Sequence, residues 1–410
     1  MAAMAVGFAI STAHTVGMAI AIVMPALVLT QGTRKKTYVT ALAYYGAAIW
    51  AIMPGARNFF GPNVSALSAA ALWAAAIALL ALPWALLWSP NRTQLIWRGP
   101  LALAITIVPP LGIIGWVSPL TGAGYLFPGT GWWGIVACVI TAGSIAVFTR
   151  TTVVAVAAIS IITNLTHPHD PIPPPGWLAI STNFGDIAHT VPSPNNEFRI
   201  AEAIQRKVLS TNSSVIVFPE TIVPYWTEAT DDSWRETIQT LRATGKTILV
   251  GARVPRTNSS KNKVDQLDFA EPLAVLDRAT TLRTLRHPAR QSEAPYDNSI
   301  IVRGVQEAMF RQRIPVPIAM WNPLTGKGAP LNLSGSAVMQ IANQRAAILI
   351  CYEHLLVWPV LHSMTKSPSI IVAVANDHWA TGTPIPRFQL AATRAWARLF
   401  SLPYLWAANE

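Results

Sequence analysis

Three short apolar runs in the second half of the chain end in residues able to bind or transform a substrate. The runs are SSVIVFPE, AAILICYE and SIIVAVAND. Their ends supply an acid, a thiol and a polar pair, and the candidate residues are Glu220, Cys351, Tyr352, Glu353, Asn376, Asp377 and, two positions further on, Trp379. If these ends converge, they form one pocket.

Buried strands alternating with helices are the elements that position these residues. Apolar runs predict strands at Trp177–Thr182, Ser214–Pro219, Thr247–Ala252, Asn298–Val302, Ala346–Cys351 and Ile370–Ala375. Helical patterns lie at Asn196–Ser210 and Ser233–Thr244. This alternation favours an α/β domain with a largely buried sheet and some antiparallel hairpins. Because sites in layered α/β folds form at the carboxyl ends of strands, the three run ends are expected to meet.

Five of these candidates also have a purely structural interpretation. Glu220 and Glu353 fit helix caps or solvated turns, and Cys351 fits a small core residue. Asn376 and Asp377 fit a turn. The joint occurrence of these groups after three separate strands favours a functional site over these alternatives.

The first part of the chain has a different composition. Overall 52% of residues are hydrophobic and 12% are charged, and all 19 acidic residues lie at or after Asp170. The chain is therefore not expected to be purely soluble. Since a membrane-spanning helix needs about 20 apolar residues, six spans are predicted. They are 8–30, 37–54, 66–88, 99–118, 128–149 and 151–166.

The loops between these spans predict an orientation. Six of the seven basic residues before Asp170 lie on one side, and only Arg57 lies on the other. Since Lys and Arg accumulate in cytoplasmic loops, everything after the sixth span is expected outside the cytoplasm. The predicted spans contain no acidic residue, which disfavours a coupled transporter.

Three further features of the sequence limit the functions that it can have. The proline-rich segment 167–176 predicts a stiff linker, and its His167 and His169 are poorly spaced for a metal site. A disulfide between Cys138 and Cys351 is not expected, because Cys138 falls in an apolar span. Residues 170–410 carry a net charge of only +4 and no basic run interleaved with aromatics, so direct nucleic-acid binding is not predicted.

The quoted motifs resemble those of the carbon–nitrogen hydrolase, or nitrilase, superfamily. The resemblance rests on FPE at 218–220, ICYE at 350–353 and the segment from AVANDHW to LWAAN at 373–409. Six predicted spans before such a domain make the chain similar to apolipoprotein N-acyltransferases. The segment PLTGAGYLFPGTGWWG, at 119–134, resembles the plasmid-encoded TraB branch of conjugal-transfer proteins.

This resemblance implies a four-layer αββα sandwich with a Glu–Lys–Cys triad. Glu220 would be the general base and Cys351 the nucleophile that forms a thioester, with backbone N–H groups near Tyr352 holding the oxyanion. In FRQRIPVPIAMW the best register places Arg311 in the lysine position, with Arg313 as second choice. Arginine can stabilise an oxyanion, but it does not readily transfer a proton.

Other departures from the family pattern keep a second function open. Lys246, Lys261 and Lys263 come too early for the lysine position, and Lys327 comes too late. Ala319 and Met320 stand where the family has a further acid.

The sequence therefore predicts a multi-pass α-helical membrane domain at 1–166, a linker at 167–176 and an α/β nitrilase-like domain at 177–410. The protein is expected in the inner membrane, with the nitrilase-like domain facing the periplasm. The predicted function is conjugal plasmid transfer with cysteine chemistry, either acyl transfer or amide hydrolysis.

Membrane lipid is the expected partner, with phospholipid as acyl donor, together with conjugation proteins. No cofactor and no metal are expected. The alternative function is a catalytically degenerate membrane scaffold of the conjugation machinery.

Overall fold

Helices dominate the first part of the chain and two β-sheets dominate the rest. The computed structural model describes residues 1–61, 64–185, 194–256, 295–321 and 328–410. These residues form two compact units. The first unit comprises 1–172, 353–371 and 379–404, and the second comprises 173–352, 372–378 and 405–410.

The first unit is built from apolar helices. They are α1 (Ala2–Ser11), α2 (Thr15–Ile20), α3 (Met24–Leu29), α4 (Arg34–Ala48), α5 (Ile52–Phe60), α6 (Ala66–Leu86), α7 (Leu95–Ile107), α8 (Ala123–Leu126), α9 (Trp132–Ser144) and α10 (Thr149–Thr166). Two helices from later in the sequence, α13 (Val357–Met364) and α14 (Ile385–Phe400), belong to the same unit.

Helix α14 is attached to the first unit by a close backbone approach and by ion pairs. A Cβ on Gly124 of α8 would lie only 1.6 Å from the Ala395 carbonyl oxygen, so only glycine allows this packing. Asp170 accepts hydrogen bonds from Arg394 Nε at 2.5 Å and from Arg398 Nη1 at 3.0 Å. These contacts explain why a late segment of the sequence folds with the apolar helices.

Within the described residues, two helices are long and apolar enough to cross a membrane, namely α6 and α10. Helices α4 and α5, which are bent by 49° relative to each other, make a third if they are counted as one span. Ala2–Ser11, Thr15–Leu29 and Trp132–Ser144 are apolar but shorter. The six predicted spans and their orientation stay predictions.

The second unit contains a six-stranded sheet and a four-stranded sheet. The strands of the first sheet are β1 (Trp177–Ala179), β2 (Val215–Val217), β3 (Val223–Tyr225), β4 (Thr247–Pro255), β5 (Tyr296–Gly304) and β6 (Ala308–Arg311). Their order is β1-β2-β4-β5-β6, and β3 also pairs with β4. The first four strands pair in parallel, and β4, β5 and β6 pair antiparallel.

The second sheet has the order β10-β9-β8-β7. Its strands are β7 (Met339–Ile341), β8 (Gln344–Ile350), β9 (Ile370–Asn376) and β10 (Tyr404–Asn409). Strands β7 and β8 form an antiparallel pair, and most residues of β8 and all of β9 are buried. Such full burial accounts for their nearly continuous apolar sequences.

Two helices cover one face of the first sheet. They are α11 (Pro194–Ser210) and α12 (Glu228–Ala243). Both present apolar residues at helical spacing, such as Ile200 and Ile204 on α11 and Trp234 and Ile238 on α12. These side chains pack against alternate residues of the sheet, including Ile301 of β5. Because side chains alternate along a strand, the even-numbered residues of β5 lie on the opposite face.

The predicted α/β organisation is confirmed. Each predicted strand overlaps an observed one, and β4, β5, β8 and β9 extend past the predicted bounds. Both predicted helices are present, and α12 begins five residues earlier than the pattern indicated, at Glu228. Its early start follows from the capping box formed by Thr227 and Thr230. Strands β3, β6, β7 and β10 were not predicted, because they are short or follow polar turns.

Candidate active site

Glu220 follows β2 and is held in one orientation. Its carboxylate is buried, with 4% of the residue exposed. Asn298 Nδ2 donates a hydrogen bond of 2.6 Å to one carboxylate oxygen, and the backbone N–H of Asn376 donates one of 3.0 Å to the other. A Cβ at Gly251 would lie 2.4 Å from the Glu220 Cα, so glycine is needed for β4 to pass this residue.

Cys351 lies at the sharp turn between β8 and the 3₁₀ helix Cys351–Leu355. Its φ is +49°, a left-handed conformation that is uncommon for a residue with a side chain. Such backbone strain is found disproportionately at functional sites. The residue is buried, and its thiol is hydrogen bonded to the Glu220 carboxylate. The structure thus brings the predicted acid and thiol into direct contact.

The electrostatics of this pair favour a neutral thiol beside a carboxyl group of raised basicity. Burial, together with the neighbouring charges of Glu220 and Asp377, raises the pKa of the Cys351 thiol well above its ordinary value. Burial also raises the pKa of Glu220, while the hydrogen bonds from Cys351, Asn298 and Asn376 oppose that rise. A carboxylate shifted in this direction is a better proton acceptor than an exposed one.

Asn376 is the last residue of β9, and Asp377 follows it beside the Glu220–Cys351 pair. The Asn376 side-chain oxygen accepts a hydrogen bond from Asn409 Nδ2 at 3.1 Å, and the Asp377 N–H donates to the Asn409 carbonyl at 2.8 Å. Burial, Glu220 and Glu410 raise the pKa of Asp377 to about 8. This shift favours the neutral form of Asp377 at neutral pH, which limits the negative charge beside Glu220.

Asn298 and Gln312 belong to the site although neither was predicted for it. Asn298 Nδ2 also donates to Gln312 Oε1 at 2.9 Å, and Gln312 Nε2 donates to the Ile350 carbonyl at 3.0 Å. These bonds, with those of Glu220 and Cys351, close a buried ring next to the nucleophile. Asn298 is the first residue of a predicted strand, so its polarity in an apolar run was the available signal.

The structure does not bring Arg311 to this ring. Arg311 is paired with Ser299 in the β5–β6 register, which puts it on the helix-covered face with Asp297. Its Nε lies 3.1 Å from an Asp297 carboxylate oxygen. Gln312, one residue later, is the side chain of this segment that meets Asn298.

The other cations considered for the lysine position have different surroundings. Arg313 is buried, and its Nη2 donates to the Ile348 carbonyl at 3.2 Å. Lys246 donates to the Thr211 carbonyl at 2.6 Å. Lys261, Lys263 and Lys327 lie outside the described residues.

The remaining predicted pocket residues divide between the two units. Tyr352 follows Cys351 in the second unit and is buried. Glu353 and Trp379 belong to the first unit, where Glu353 is fully buried. The Trp379 ring packs edge-on against Phe59, with ring centroids 5.7 Å apart. Across the described residues, no three His, Cys, Asp or Glu side chains are grouped to hold a metal ion.

The fold and site define a mixed α/β domain with a buried cysteine–carboxylate pair, preceded by apolar helices. The chain is 31% identical to the conjugal transfer protein TraB of Agrobacterium fabrum (strain C58 / ATCC 33970), over 95% of this chain and 87% of that protein. It is 28% identical to the probable conjugal transfer protein TraB of Sinorhizobium fredii (strain NBRC 101917 / NGR234), over 95% and 92%. The chain therefore belongs to the TraB family of conjugal transfer proteins, and the relationship predicted from its motifs is confirmed.

Comparison with family models and solved structures adds two findings. No family model matches the chain. Similar solved structures include an amidase from Nesterenkonia sp., at 8% identity and a TM-score of 0.34, covering 58% of this chain and 78% of that one. A cysteine-to-serine mutant of the Nesterenkonia AN1 amidase, from the nitrilase superfamily, is 9% identical with the same TM-score and coverage.

Proposed function

We propose that this TraB-family protein is a membrane-anchored enzyme of conjugal plasmid transfer that uses Cys351 for acyl transfer or amide hydrolysis. The observation that carries the proposal is the buried hydrogen bond between the Cys351 thiol and the Glu220 carboxylate. A thiol paired with a base of raised pKa is the arrangement that nucleophilic catalysis requires.

In the first half of the reaction, the Cys351 sulfur attacks the carbonyl carbon of an ester or amide while Glu220 takes the thiol proton. The resulting oxyanion collapses, and the bond from carbon to the leaving oxygen or nitrogen breaks. Glu220 returns the proton to that leaving alcohol or amine. The products of this half are a thioester on Cys351 and the released group.

In the second half, water or an amine attacks the thioester carbonyl. Glu220 takes a proton from the attacking group, the carbon–sulfur bond breaks, and the proton passes to the sulfur. The thiol and the carboxylate are then restored. With water the outcome is hydrolysis, and with an amine it is the formation of a new amide.

The residues around the pair support these steps. Asn298 and the Asn376 backbone keep both Glu220 oxygens in place, so the base does not have to reorient. The N–H groups at the start of the 3₁₀ helix Cys351–Leu355, near Tyr352, are the proposed donors to the oxyanion. The raised pKa of Asp377, about 8, favours its neutral form at neutral pH and so limits the negative charge beside the reacting groups.

The proposed setting is the inner membrane, with the α/β domain on the periplasmic side. Support comes from the absence of acidic residues before Asp170, the distribution of basic residues between the apolar segments, and helices α6 and α10. Membrane lipid, with phospholipid as acyl donor, and other conjugation proteins are the proposed partners.

A scaffold without turnover is the second candidate, and one observation favours it. The nitrilase resemblance calls for a lysine in the FRQR segment, yet the side chain of that segment that meets Asn298 is the neutral Gln312. A site without that cation stabilises an oxyanion less well.

Plasmid transfer by a Cys351→Ala variant separates the two candidates. The enzyme predicts that transfer frequency falls at least about a hundredfold, because the nucleophile is gone, while protein level in the membrane fraction is unchanged. Cys138→Ala is the matched control and is expected to transfer like the wild type. Wild-type transfer by Cys351→Ala would overturn the enzymatic proposal and favour the scaffold.

A further inference from the structure

The Glu220–Cys351 site has a cation nearby that does not come from the FRQR segment. Arg253 lies on β4, where the sheet register pairs it directly with Asn298 of β5. Side chains of residues paired on neighbouring strands project to the same face of the sheet. Arg253 therefore shares a face with the Asn298 side chain that donates to Glu220.

The alternation of side chains along β4 places Arg253 on the same face of the sheet, independently of the pairing with β5. Val250, Ala252 and Val254 belong to the core packed against α11 and α12. Gly251 lies on the other face, where it packs against the Glu220 backbone. Arg253 is two residues beyond Gly251, so it lies on the Glu220 side of the strand.

Tyr296 holds the guanidinium group on this face. The Arg253 Cζ lies 5.2 Å from the centroid of the Tyr296 ring, within the range of a cation–π interaction. Tyr296 is two residues before Asn298 on β5, and it is almost fully buried. The pKa of Tyr296 is raised chiefly by burial, and both Arg253 and Glu220 act on it through their charges. Arg253, Tyr296 and Glu220 are thus within electrostatic range of one another.

We infer that Arg253, aligned with Asn298 and stacked on Tyr296, is the positioning residue that supplies positive charge to the Glu220–Cys351 pair. This inference rests on the proposed function and names a residue of the same site. The positive charge favours the ionised forms of Glu220 and Cys351, and it stabilises negative charge that moves between them during attack. A guanidinium remains protonated throughout, so Arg253 acts by charge and does not carry the proton.

Other groups near the pair act in the opposite direction. Asp377, which follows β9, raises the pKa of the Cys351 thiol through its charge, and Glu410, which follows β10, raises the pKa of Asp377. Tyr225 of β3 acts on Tyr296 through its charge when ionised. Arg253 is the cation on the same sheet face whose charge lowers the Glu220 pKa.

The rate at which iodoacetamide alkylates Cys351 tests the inference without any acyl substrate. The full-length protein in detergent is alkylated across about pH 7 to pH 10, and the modified peptide is quantified by mass spectrometry. In Arg253→Gln the pH dependence is expected to move upward by about one unit, so the rate at a fixed pH below the midpoint falls about tenfold. Arg253→Lys keeps the charge and is expected to restore most of the rate.

Arg311→Gln is the matched control, because it removes a cation from the other face of the same sheet. It is expected to leave the alkylation profile of Cys351 unchanged. Thermal unfolding of each variant shows that the α/β domain is intact, and Arg253→Lys provides a second comparison if Arg253→Gln unfolds. A shift with Arg311→Gln but not with Arg253→Gln, or a profile of Arg253→Lys as displaced as that of Arg253→Gln, would overturn the inference.

Failure of this inference and failure of the enzymatic proposal give different results. If Cys351→Ala transfers plasmid normally while Arg253→Gln shifts the alkylation profile, the enzymatic proposal fails and the role of Arg253 stands. If transfer depends on Cys351 while Arg253→Gln leaves the profile unshifted, the enzymatic proposal stands and the inference about Arg253 fails.

Discussion

The two faces of the first sheet differ in the partners of their charged side chains. On the helix-covered face, Arg311 pairs with Asp297 and Arg303 pairs with Asp231, each at 3.1 Å. On the opposite face, the oxygens of Glu220 receive hydrogen bonds from uncharged amide groups. A direct ion pair lowers the pKa of a carboxylate and keeps it ionised. Hydrogen bonds from neutral amide groups lower that pKa less, so the carboxylate accepts a proton more readily. The difference explains how one sheet provides both structural charge pairs and a candidate base.

Glu220→Gln is the substitution expected to have the largest effect on the site face. Glutamine keeps the size of the side chain but cannot take the thiol proton. The rate of thioester formation on Cys351 is expected to fall about 10²–10⁴-fold, the usual contribution of a general base. The rate is measured by mass spectrometry of the Cys351 peptide after mixing with phospholipid.

The control for this variant is Glu236→Gln, which changes an exposed glutamate on α12. It is expected to react like the wild type. Equal rates for Glu220→Gln and Glu236→Gln would show that Glu220 is not the base.

Asp377→Asn tests the pH dependence of the site. In the wild type, Asp377 is protonated below about pH 8 and ionises above it, which adds negative charge beside Glu220 and Cys351. Activity is therefore expected to decrease as the pH rises through about 8. Asparagine remains neutral, so the variant is expected to retain activity in that range. If activity decreased above about pH 8 in the same way in the wild type and in Asp377→Asn, this account would be contradicted.

The same substitution has a predicted effect on stability. The folded-state pKa of Asp377 is raised above its ordinary value of 3.8, so the folded protein binds more protons than the unfolded chain between that value and about 8. The contribution to the free energy of unfolding is complete below this window and is lost as the pH rises through it. Asp377→Asn is expected to remove this loss of stability at high pH. Denaturation at several pH values measures the free energy of unfolding of both proteins.

Arg311→Gln is expected to have the smallest effect. Its partner Asp297 also lies 3.7 Å from Arg256 Nε, and the Arg311 side chain is 38% exposed. A partly exposed ion pair contributes about 0–1 kcal/mol, so the loss in the free energy of unfolding should stay in that range. Thermal denaturation and the rate of thioester formation check this together. A loss of rate as large as that of Glu220→Gln would show that Arg311 takes part in the reaction.

The parts of the site that follow continuous apolar strands were predictable from the sequence. Glu220, Cys351 and Asn376 each come directly after a predicted buried run, and sites in layered α/β folds form at the carboxyl ends of strands. The structure places the Cys351 thiol in hydrogen-bond contact with the Glu220 carboxylate. Asp377 was predicted as part of the site, but its raised pKa depends on burial beside Glu220 and Glu410, which no local pattern contains.

The local sequence pattern could not predict that the side-chain amides of Asn298 and Gln312 and the guanidinium of Arg253 lie at the site. Arg311 and Gln312 are adjacent, and a shift of one residue in register exchanges their faces. The apolar run predicted β4 only to Ala252, whereas the strand continues to Pro255 and includes Arg253. Only the pairing of β4 with β5 shows that Arg253 is aligned with Asn298.

Mass spectrometry of Cys351 in the detergent-purified protein after incubation with phospholipid tests the central claim most directly. The account predicts an acyl adduct on Cys351 that hydroxylamine removes and that is absent from Cys351→Ala. A wild-type protein that remains unmodified at Cys351 under these conditions, while its thiol still reacts with iodoacetamide, would contradict acyl transfer from phospholipid by this site.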